Sequence, residues 1–365
     1  MSQHTSRYLL ALNMLEGIGP IMAKQLVTYF GSAEAVFKES PQNLQKINRI
    51  GGVLTQAIRH NNALRKADEE LELADKKNIK ICAYTDSFYP ERLRNCEDSP
   101  LIFFYAGNVD FNSQKIISIV GTRNATEYGR KVCEDIVTGL ASYKPIIISG
   151  LAFGIDICAH KSALQNGLET IAVLGSPMQR IHPTGHVSIA KQITKHGAVI
   201  SEYHSKTIFE KSLFVRRNRI IAGMSDASII IESKKRGGAL LTADFAQQYN
   251  RDVFAVPGSV GFPYSEGCNM LIKTNKAALI ESASDVVKNL NWDIQANQHV
   301  QKQLFVELTD DEQTIHTLLT NETEMTVDVI ALRSTFPMSK VSSLLLSLEF
   351  KGVVQTLPGK RYRLT

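Results

Sequence analysis

The sequence predicts an α/β protein built around an extended, Rossmann-like, doubly wound parallel sheet, with a helical module before it and a winged helix after it. Six apolar, β-rich runs recur between about residues 110 and 290: KIISIVG, PIIISG, TIAVLGS, GAVISEY, DASIIIES and RDVFAVPG. Nearly continuous apolar runs are typical of strands buried on both faces, and the stretches of helical length between them favour parallel order. Glycine turns at the ends of several runs predict a ligand site at one edge of this sheet.

Residues 1–75 are predicted to form a helical module of the helix-hairpin-helix or SAM-like type. LEGIGPIMAKQLVTYFG has a Gly17-x-Gly19 turn between two helical segments, and LQKINRIGGVLTQAIRH repeats that form with Gly51-Gly52. A glycine turn leaves backbone amides free at a helix start, where they attract phosphate. Up to Lys66 the segment carries eight Lys or Arg residues against three Glu. Contact with DNA and a purely packing role both remain open.

The rest of the chain divides into the central domain at 76–290, a polar linker at 291–304 and a winged-helix domain at 305–365. The winged helix is predicted from three helices and a hairpin with a Pro-Gly turn: Asp310–Leu319, Val327–Ser334, Ser339–Phe350 and Pro358-Gly359. Residues 302–365 carry seven bases against eight acids. That balance weighs against a duplex-binding transcription regulator, and protein contact or DNA delivery is an equally good use of this domain.

Composition narrows the class of protein. The 365 residues are 44% hydrophobic and 21% charged, with a mildly basic net charge of +5, which is typical of an ordinary globular chain. No apolar run approaches the roughly 18–20 residues that a membrane span needs, and the N-terminus is too polar for a secretory signal. A cytoplasmic protein without membrane association is therefore expected. The five cysteines are scattered and never spaced as C-x-x-C, so they are predicted to be reduced core thiols.

Three of the predicted strands end in turns that suit an oxyanion. The first strand leaves through Gly121-Thr122-Arg123, the second through Gly150 and Gly154, and a third through Gly175. Ligands of open parallel sheets bind outside the carboxyl ends of the strands, where amides and helix N-termini attract anions. Gly-Thr-Arg is not G-x-G-x-x-G, and the chain has no Walker A sequence, so classical dinucleotide and ATP sites are disfavoured.

The segment KSLFVRRNRIIAG, from Lys211 to Gly223, supplies cations with an aromatic residue, Phe214, among them. Its four cations share nine residues with no acid: Lys211, Arg216, Arg217 and Arg219. Together with Arg123, this cluster suits a polyanion, because cations bind phosphates and an aromatic face stacks on a base. The sequence therefore predicts a nucleic-acid site more strongly than a site for one mononucleotide.

The same segment carries predictions about its local structure. Lys211 and Phe214 are predicted to lie in a loop, and Arg217-Asn218-Arg219 at the start of the helix that follows. Arg216 is predicted to be solvated surface. One of Arg217 and Arg219 is expected to form an internal ion pair with a nearby carboxylate: Asp226, Glu232 or Glu202.

No catalytic or metal-binding constellation stands out, and neither a metal nor a cofactor is expected. Asp156 and His160 lie four apart on a predicted helix and suit a local side-chain pair better than a general base. His182 and His186 have a proline and a glycine between them and no third ligand, which disfavours zinc. The chain has no G-x-S-x-G sequence and no evident Cys/His nucleophile pair.

An enzymatic alternative stays open. Glu202 and Glu232 end strands at the same predicted sheet edge, where they could serve as acid–base residues or buttress the arginines. The alternative is a Rossmann-type nucleotide- or phosphoribosyl-processing enzyme that uses the same anion pocket.

Eight motifs in order carry a resemblance to a known family: VGTRNATEYG, SGLAFGIDICAH, TIAVLGS, GAVISEY, RRNRIIAGMSDASIIIES, GGALLTADFA, RDVFAVPGS and EGCNMLI. The chain resembles the DNA-processing protein A family (DprA, also called Smf) over roughly residues 80–285, and its flanking modules match the family's usual flanks. The resemblance implies a cytosolic bacterial protein without established catalysis. It implies that the protein binds single-stranded DNA, protects incoming DNA and loads the RecA recombinase onto it during natural transformation. It also implies a homodimer through the Rossmann domain.

The resemblance places DNA-binding residues on the matching motifs. They are Arg123 of GTR, Lys211 and Phe214 of KSLF, and Arg217, Asn218 and Arg219 of RNR; the turn residues Gly121, Thr122 and Gly150 complete the predicted site. The chain departs from the family at Thr184, where relatives can carry a base, and at Gly237, where relatives often have serine.

Overall fold

The computed structural model describes residues 3–59, 62–292, 308–320, 322, 324–357 and 360–364. The described residues up to 292 form one compact unit, and those from 308 onward form a second. Most of the predicted linker, from residue 293 to 304, lies outside the described residues. No described helix is long and apolar enough to cross a bilayer.

Six helices form the N-terminal module: α1 (Gln3–Asn13), α2 (Pro20–Phe30), α3 (Ala33–Lys38), α4 (Pro41–Leu44), α5 (Gly52–Arg59) and α6 (Ala63–Lys76). The predicted Gly17-x-Gly19 turn precedes α2, and the predicted Gly51-Gly52 turn overlaps the start of α5 at Gly52. The apolar core of the module continues into the first two strands of the sheet, because Leu9, Leu12 and Leu26 belong to the same buried cluster as Ile102 and Phe104. The module is therefore packed onto the sheet as part of the first compact unit.

A nine-stranded sheet forms the centre of the described chain: β1 (Lys80–Ala83), β2 (Ile102–Gly107), β3 (Ile116–Gly121), β4 (Ile146–Ser149), β5 (Thr170–Leu174), β6 (Gly197–Ser201), β7 (Ala227–Ile231), β8 (Asp252–Ala255) and β9 (Ala278–Leu279). The strand order is β1-β2-β6-β5-β4-β3-β7-β8-β9. The six predicted strands are β3 to β8, and they pair in parallel as predicted. β2 joins the edge of β6 in the antiparallel direction, and β1 pairs antiparallel with β2.

The order of the strands sets the position of the site. From β3 the chain builds outward through β4, β5 and β6, and then crosses to the other side of β3 to form β7 and β8. The carboxyl edge beside β3 is therefore the topological switch point at which ligands of such sheets bind.

Helices cover both faces of the sheet: α7 (Glu91–Arg94), α8 (Glu127–Leu140), α9 (Ile155–Gln165), α10 (Val187–Ile193), α11 (Lys211–Met224), α12 (Gly238–Gln248), α13 (Glu266–Lys273) and α14 (Ala283–Asn289). Side chains of β3 alternate between the two cores, as the period of a strand requires. Ile116 and Val120 pack in the cluster that includes α11 and α12, whereas Ile117 and Ile119 pack in the cluster that includes α8 and α9.

The second unit is a winged helix, as predicted: α15 (Asp310–Thr320), β10 (Met325–Thr326), α16 (Val327–Ser334), α17 (Met338–Phe350), β11 (Val354–Leu357) and β12 (Arg361–Leu364). Its three strands pair in the order β10-β12-β11. Ile315, Ile330, Val341 and Leu345 fill its core. The predicted Pro358-Gly359 turn lies outside the described residues.

Candidate nucleic-acid interface

A cleft of about 340 Å³ opens at the carboxyl edge of the sheet beside β3. Its walls come from the turn after β3, the start of the β4–α9 connection, one face of α11 and the loop between β7 and α12. Thus the switch point predicted from the strand order holds a cavity.

Gly121 and Thr122 hold the first turn in place. A Cβ on Gly121 would overlap the carbonyl oxygen of Ile231 on β7, so a glycine is required for the two strands to approach at this point. The Thr122 amide donates to the Glu232 carbonyl at 2.7 Å, and the Ile155 amide donates to the Thr122 carbonyl at 3.2 Å. These bonds tie the turn to the ends of β7 and α9.

Arg123 follows directly and lines the cleft with an exposed side chain. Within the described parts of the chain its guanidinium has no ion pair and no side-chain hydrogen bond. An exposed guanidinium on an anchored turn is free to form a forked hydrogen bond to a phosphate.

Glu232 stabilises this turn and does not line the cleft. Its carboxylate accepts hydrogen bonds from the Thr126 amide at 2.8 Å and from the Thr126 hydroxyl. The Thr126 hydroxyl in turn accepts from the Gly129 amide at 3.1 Å and so caps α8. With only 4% of its surface exposed, Glu232 acts as a positioning residue for the turn.

Arg217 lies at the floor of the cleft and is almost completely buried. Its Nη1 donates to the Val173 carbonyl, and a Cβ on Gly150 would overlap its guanidinium, which explains the glycine at the end of β4. Burial lowers the pKa of Arg217 to about 10, and the nearby Asp156 carboxylate opposes that shift. The guanidinium therefore remains charged at neutral pH.

Asp156 does not pair with His160, so the predicted local pair is wrong. The Asp156 carboxylate accepts from the Gly150 amide at 3.2 Å and from the Ala152 amide at 3.4 Å, because it lies in the first turn of α9 beside free backbone donors. His160 Nδ1 lies 2.7 Å from the Thr170 hydroxyl on β5. Burial raises the pKa of Asp156, and burial also lowers that of His160 to about 3.

The start of α11 differs from the prediction. The helix begins at Lys211 and not at Arg217, so Lys211 and Phe214 form its first turn. The segment has no glycine or proline before Gly223, and the buried side chains of Leu213, Arg217 and Ile220 recur at helical spacing. Asn218 lines the cleft on this helix, whereas the exposed Lys211 does not.

Arg219 faces away from the cleft. Its Nη2 lies 2.5 and 2.6 Å from the two carboxylate oxygens of Glu202, and its Nε lies 3.8 Å from Asp98. The prediction that one of the two arginines pairs internally is confirmed for Arg219 and Glu202. The third predicted partner, Asp226, pairs with Arg92 at 2.6 Å.

Phe214 belongs to an aromatic cluster at the rim. Its ring packs on the backbone of Gly175, where a Cβ would come within 2.7 Å of the ring. The rings of His182 and Phe209 lie edge-to-face with it, each with a centroid separation of 5.5 Å. His186 is used elsewhere, because its Nδ1 lies 2.8 Å from the Leu151 carbonyl.

Sequence reasoning missed the loop after β7. Lys234 and Arg236 are exposed and line the cleft, and the Lys234 ammonium lies 5.1 Å above the ring of Tyr264, which also lines it. The Tyr264 hydroxyl accepts from Asn124 at 3.3 Å, which connects this loop to the first turn. The segment ESKKRGG indicates this basic loop in the sequence, because three consecutive cations precede the glycine pair Gly237-Gly238 at the start of α12.

The charge of the cleft is positive. Arg123, Lys234 and Arg236 are its exposed charged side chains, and Asp156, the one carboxylate among the lining residues, is buried against Arg217. Phe214 and Tyr264 add aromatic surface. This combination can bind phosphate groups and stack bases, whereas the lining offers no exposed carboxylate for acid–base chemistry.

Comparison with known proteins identifies related chains. Residues 80–291 match the family model of the DNA recombination-mediator protein A, and residues 302–360 match that of the DprA winged helix domain. The protein Smf of Synechocystis sp. is 31% identical over 397 aligned positions that cover 100% of both chains. The X-ray structure of DNA processing protein A from Streptococcus pneumoniae has a TM-score of 0.65 and 31% identity, and covers 77% of this chain and 95% of its own. A structure describing the single-stranded DNA binding mode of DNA processing protein A from Helicobacter pylori has a TM-score of 0.54 and 26% identity. The match covers 59% of this chain and 96% of the Helicobacter pylori chain.

Proposed function

The chain belongs to the DNA recombination-mediator protein A family, and from that premise we propose that it binds single-stranded DNA in the cleft beside β3. In this proposal it protects an incoming strand and loads the RecA recombinase onto it during natural transformation. The single-stranded DNA binding described for the Helicobacter pylori relative supports the ligand class. The homodimer through the Rossmann domain, the RecA contact and the cytoplasmic location belong to the same proposal and are supported by family membership.

The observation that carries the proposal is a set of exposed cations around an aromatic rim, none of which has an acid partner among the described residues. Arg123, Lys234 and Arg236 line one cleft, and Phe214 and Tyr264 line it with them. Phosphate contacts supply affinity that falls steeply with salt, and each base stacked on an aromatic ring adds about 1–3 kcal/mol whatever its identity. The expected ligand is therefore a single strand of little sequence preference.

Arg217, Asn218 and the turn residues have supporting parts in this proposal. Gly150 leaves room for the Arg217 guanidinium, whose buried charge below the cleft is compensated by Asp156. Gly121 and Thr122 anchor the turn that presents Arg123. Because these groups are already held by the fold, binding orders few additional side chains.

The winged helix is proposed to serve protein contact or DNA delivery. Lys340 at the start of α17 is paired with Asp311 at 2.8 Å, and Arg361 in the wing is paired with Glu324 at 2.6 Å. Cations that are already paired with acids add little to phosphate binding.

The enzymatic alternative lacks support from the contacts of its two carboxylates. Glu202 is bound to Arg219, and Glu232 is bound to Thr126. Neither glutamate lines the cleft in which a nucleotide would bind.

The test is fluorescence anisotropy with single-stranded DNA, duplex DNA, RNA, AMP, ATP and NAD at several salt concentrations. We expect the tightest binding to single-stranded DNA, with a steep salt dependence. Tight mononucleotide binding with turnover, or a preference for duplex, would refute the assignment. The RecA step is tested separately on single strands that are coated with another single-strand-binding protein. The rate of RecA filament formation is measured in the presence and in the absence of this chain, and an unchanged rate would refute loading.

A further inference from the structure

A second groove, of about 950 Å³, lies between the N-terminal module and α11. It shares the wall formed by α11 with the cleft but lies on the opposite side of that helix. We propose that this groove is a second phosphate-binding site for the same single strand, which reaches it across the exposed ridge of α11. This inference rests on the proposed function of the cleft.

The two faces of α11 divide between the two sites. Phe214 and Asn218, four residues apart, line the cleft, whereas Leu213, Arg216 and Arg219 line the groove at spacings of three. Residues three or four apart share one face of a helix. The helix therefore presents one set of side chains to each site.

Arg216 is one of the two exposed cations that line the groove, the other being Arg49. Within the described residues Arg216 has no acid partner. An exposed guanidinium on a rigid helix is suited to a phosphate that is already held nearby.

Arg219 supplies a second donor that lacks an acceptor. It is 8% exposed, and while its Nη2 is bound by Glu202, its buried Nη1 has no hydrogen-bond partner among the described residues. A buried donor without an acceptor lowers stability. Because Arg219 lines the groove, a shift of its side chain would bring this donor to a phosphate oxygen there.

The N-terminus of α2 faces the same groove. The helix has 11 residues, begins at Pro20 and is preceded by Gly19, which forms no side-chain cap. Gly19, Pro20, Ile21 and Met22 all line the groove. Free amides and the helix dipole at this end favour an anion, so the Gly-x-Gly turn noted in the sequence has a ligand to contact.

Acidic residues limit what the groove can hold. Glu202 and Asp98 are already paired with Arg219, and Asp98 also accepts from the Tyr249 hydroxyl at 2.6 Å. Glu97 remains as a carboxylate of the lining and opposes a long run of phosphates. The groove therefore fits a single phosphate contact at the end of a strand and not a continuous backbone track.

The ridge between the sites is open to a strand. Lys211, Ser212, Val215 and Arg216 form the exposed side of α11, and the adjacent Glu210 carboxylate is bound by the Ser212 hydroxyl at 2.9 Å. A helix with its side chains is about 10–12 Å across, so a strand must extend beyond the cleft to reach the groove. Lys211 thus lies between the two sites, which explains why it does not line the cleft.

Oligonucleotide length tests the proposal. Arg216→Ala is compared with wild type using strands of about 4 and about 16 nucleotides, which bracket usual site sizes of single-strand binders. The variant is expected to bind the short strand normally, to bind the long strand more weakly, and to reduce the long strand's salt slope by about 0.7. Lys195→Ala is the matched control, because Lys195 is exposed and belongs to neither lining.

Three outcomes decide between the possibilities. An Arg216→Ala protein with unchanged binding of both strands overturns the second site but leaves the cleft intact, provided that Arg123→Ala weakens both strands. Wild-type protein that binds neither strand overturns the proposed function itself. Inorganic phosphate could also bind the wild type but not Arg216→Ala, while the substitution changes the binding of neither DNA strand. That outcome overturns the proposal that one strand reaches both sites, and it assigns the groove to a free anion.

Discussion

Arg123→Ala gives the most direct measure of the cleft. Each phosphate contact to a single strand contributes about −0.7 to the slope of log K against log salt. The three exposed cations of the cleft, Arg123, Lys234 and Arg236, therefore predict a slope of about −2.1. Between about 50 and about 200 mM salt, that slope corresponds to a loss of affinity of about 20-fold. Arg217 is left out of this sum because Asp156 compensates its buried charge.

Removing Arg123 should leave a slope of about −1.4 and a loss of about 7-fold over the same salt range. The assay is fluorescence anisotropy with a labelled strand of about 4 nucleotides at four or more salt concentrations. The variant should unfold like wild type, within about 0.5 kcal/mol, because an exposed side chain without partners adds little to stability. An unchanged slope would refute the assignment of Arg123 to phosphate, and so would an equal change in the Lys195→Ala control.

Phe214→Leu is expected to weaken binding by about 1–3 kcal/mol per stacked base while the salt slope stays the same; a changed slope in anisotropy would contradict a stacking role. Gly150→Ala places a Cβ on the Arg217 guanidinium, so urea denaturation should show a loss of about 1–3 kcal/mol in unfolding free energy. Gly185→Ala is the control, because its Cβ would meet nothing within 4 Å, and it should change the free energy of unfolding little. In the winged helix, the Lys351 ammonium is bound to the Glu312 carboxylate and lowers the pKa of that carboxyl to about 2, below the unfolded value of about 4.3. The winged helix should therefore lose stability as pH falls from about 4 towards 2, and hydrogen exchange should show that Glu312→Gln removes this part of the pH dependence.

The central strands were predictable because their burial is nearly complete. All residues of β4, β5, β6 and β7 are buried, and such runs appear in the sequence as nearly continuous apolar segments. β9 is a strand of two exposed residues, and β1 has an exposed and a half-buried residue before its two buried ones. A short edge strand lacks the burial pattern on which sequence reasoning depends.

The candidate site was predictable in part. Arg123, Phe214, Arg217 and Asn218 meet in one cleft, as their motifs and the rule for parallel sheets indicated. Lys234 and Arg236 were overlooked, although they directly precede a glycine pair at a helix start. A run of lysine and arginine usually marks a solvated loop, and only its position beside β3 makes it part of a binding site.

The sequence by itself predicted the central strands and the helices between them, the sheet edge expected to bind a ligand and the kind of ligand that this edge suits. Those properties follow from the spacing of apolar residues, the glycine turns and the local charge, all of which can be read from the sequence. Only the tertiary structure decided the roles of Arg217 and Arg219, which lie two residues apart on α11 and are therefore rotated by about 200° about its axis. That rotation sends one guanidinium under the cleft and the other to Glu202, because the sheet packs on one side of the helix and the N-terminal module lies on the other.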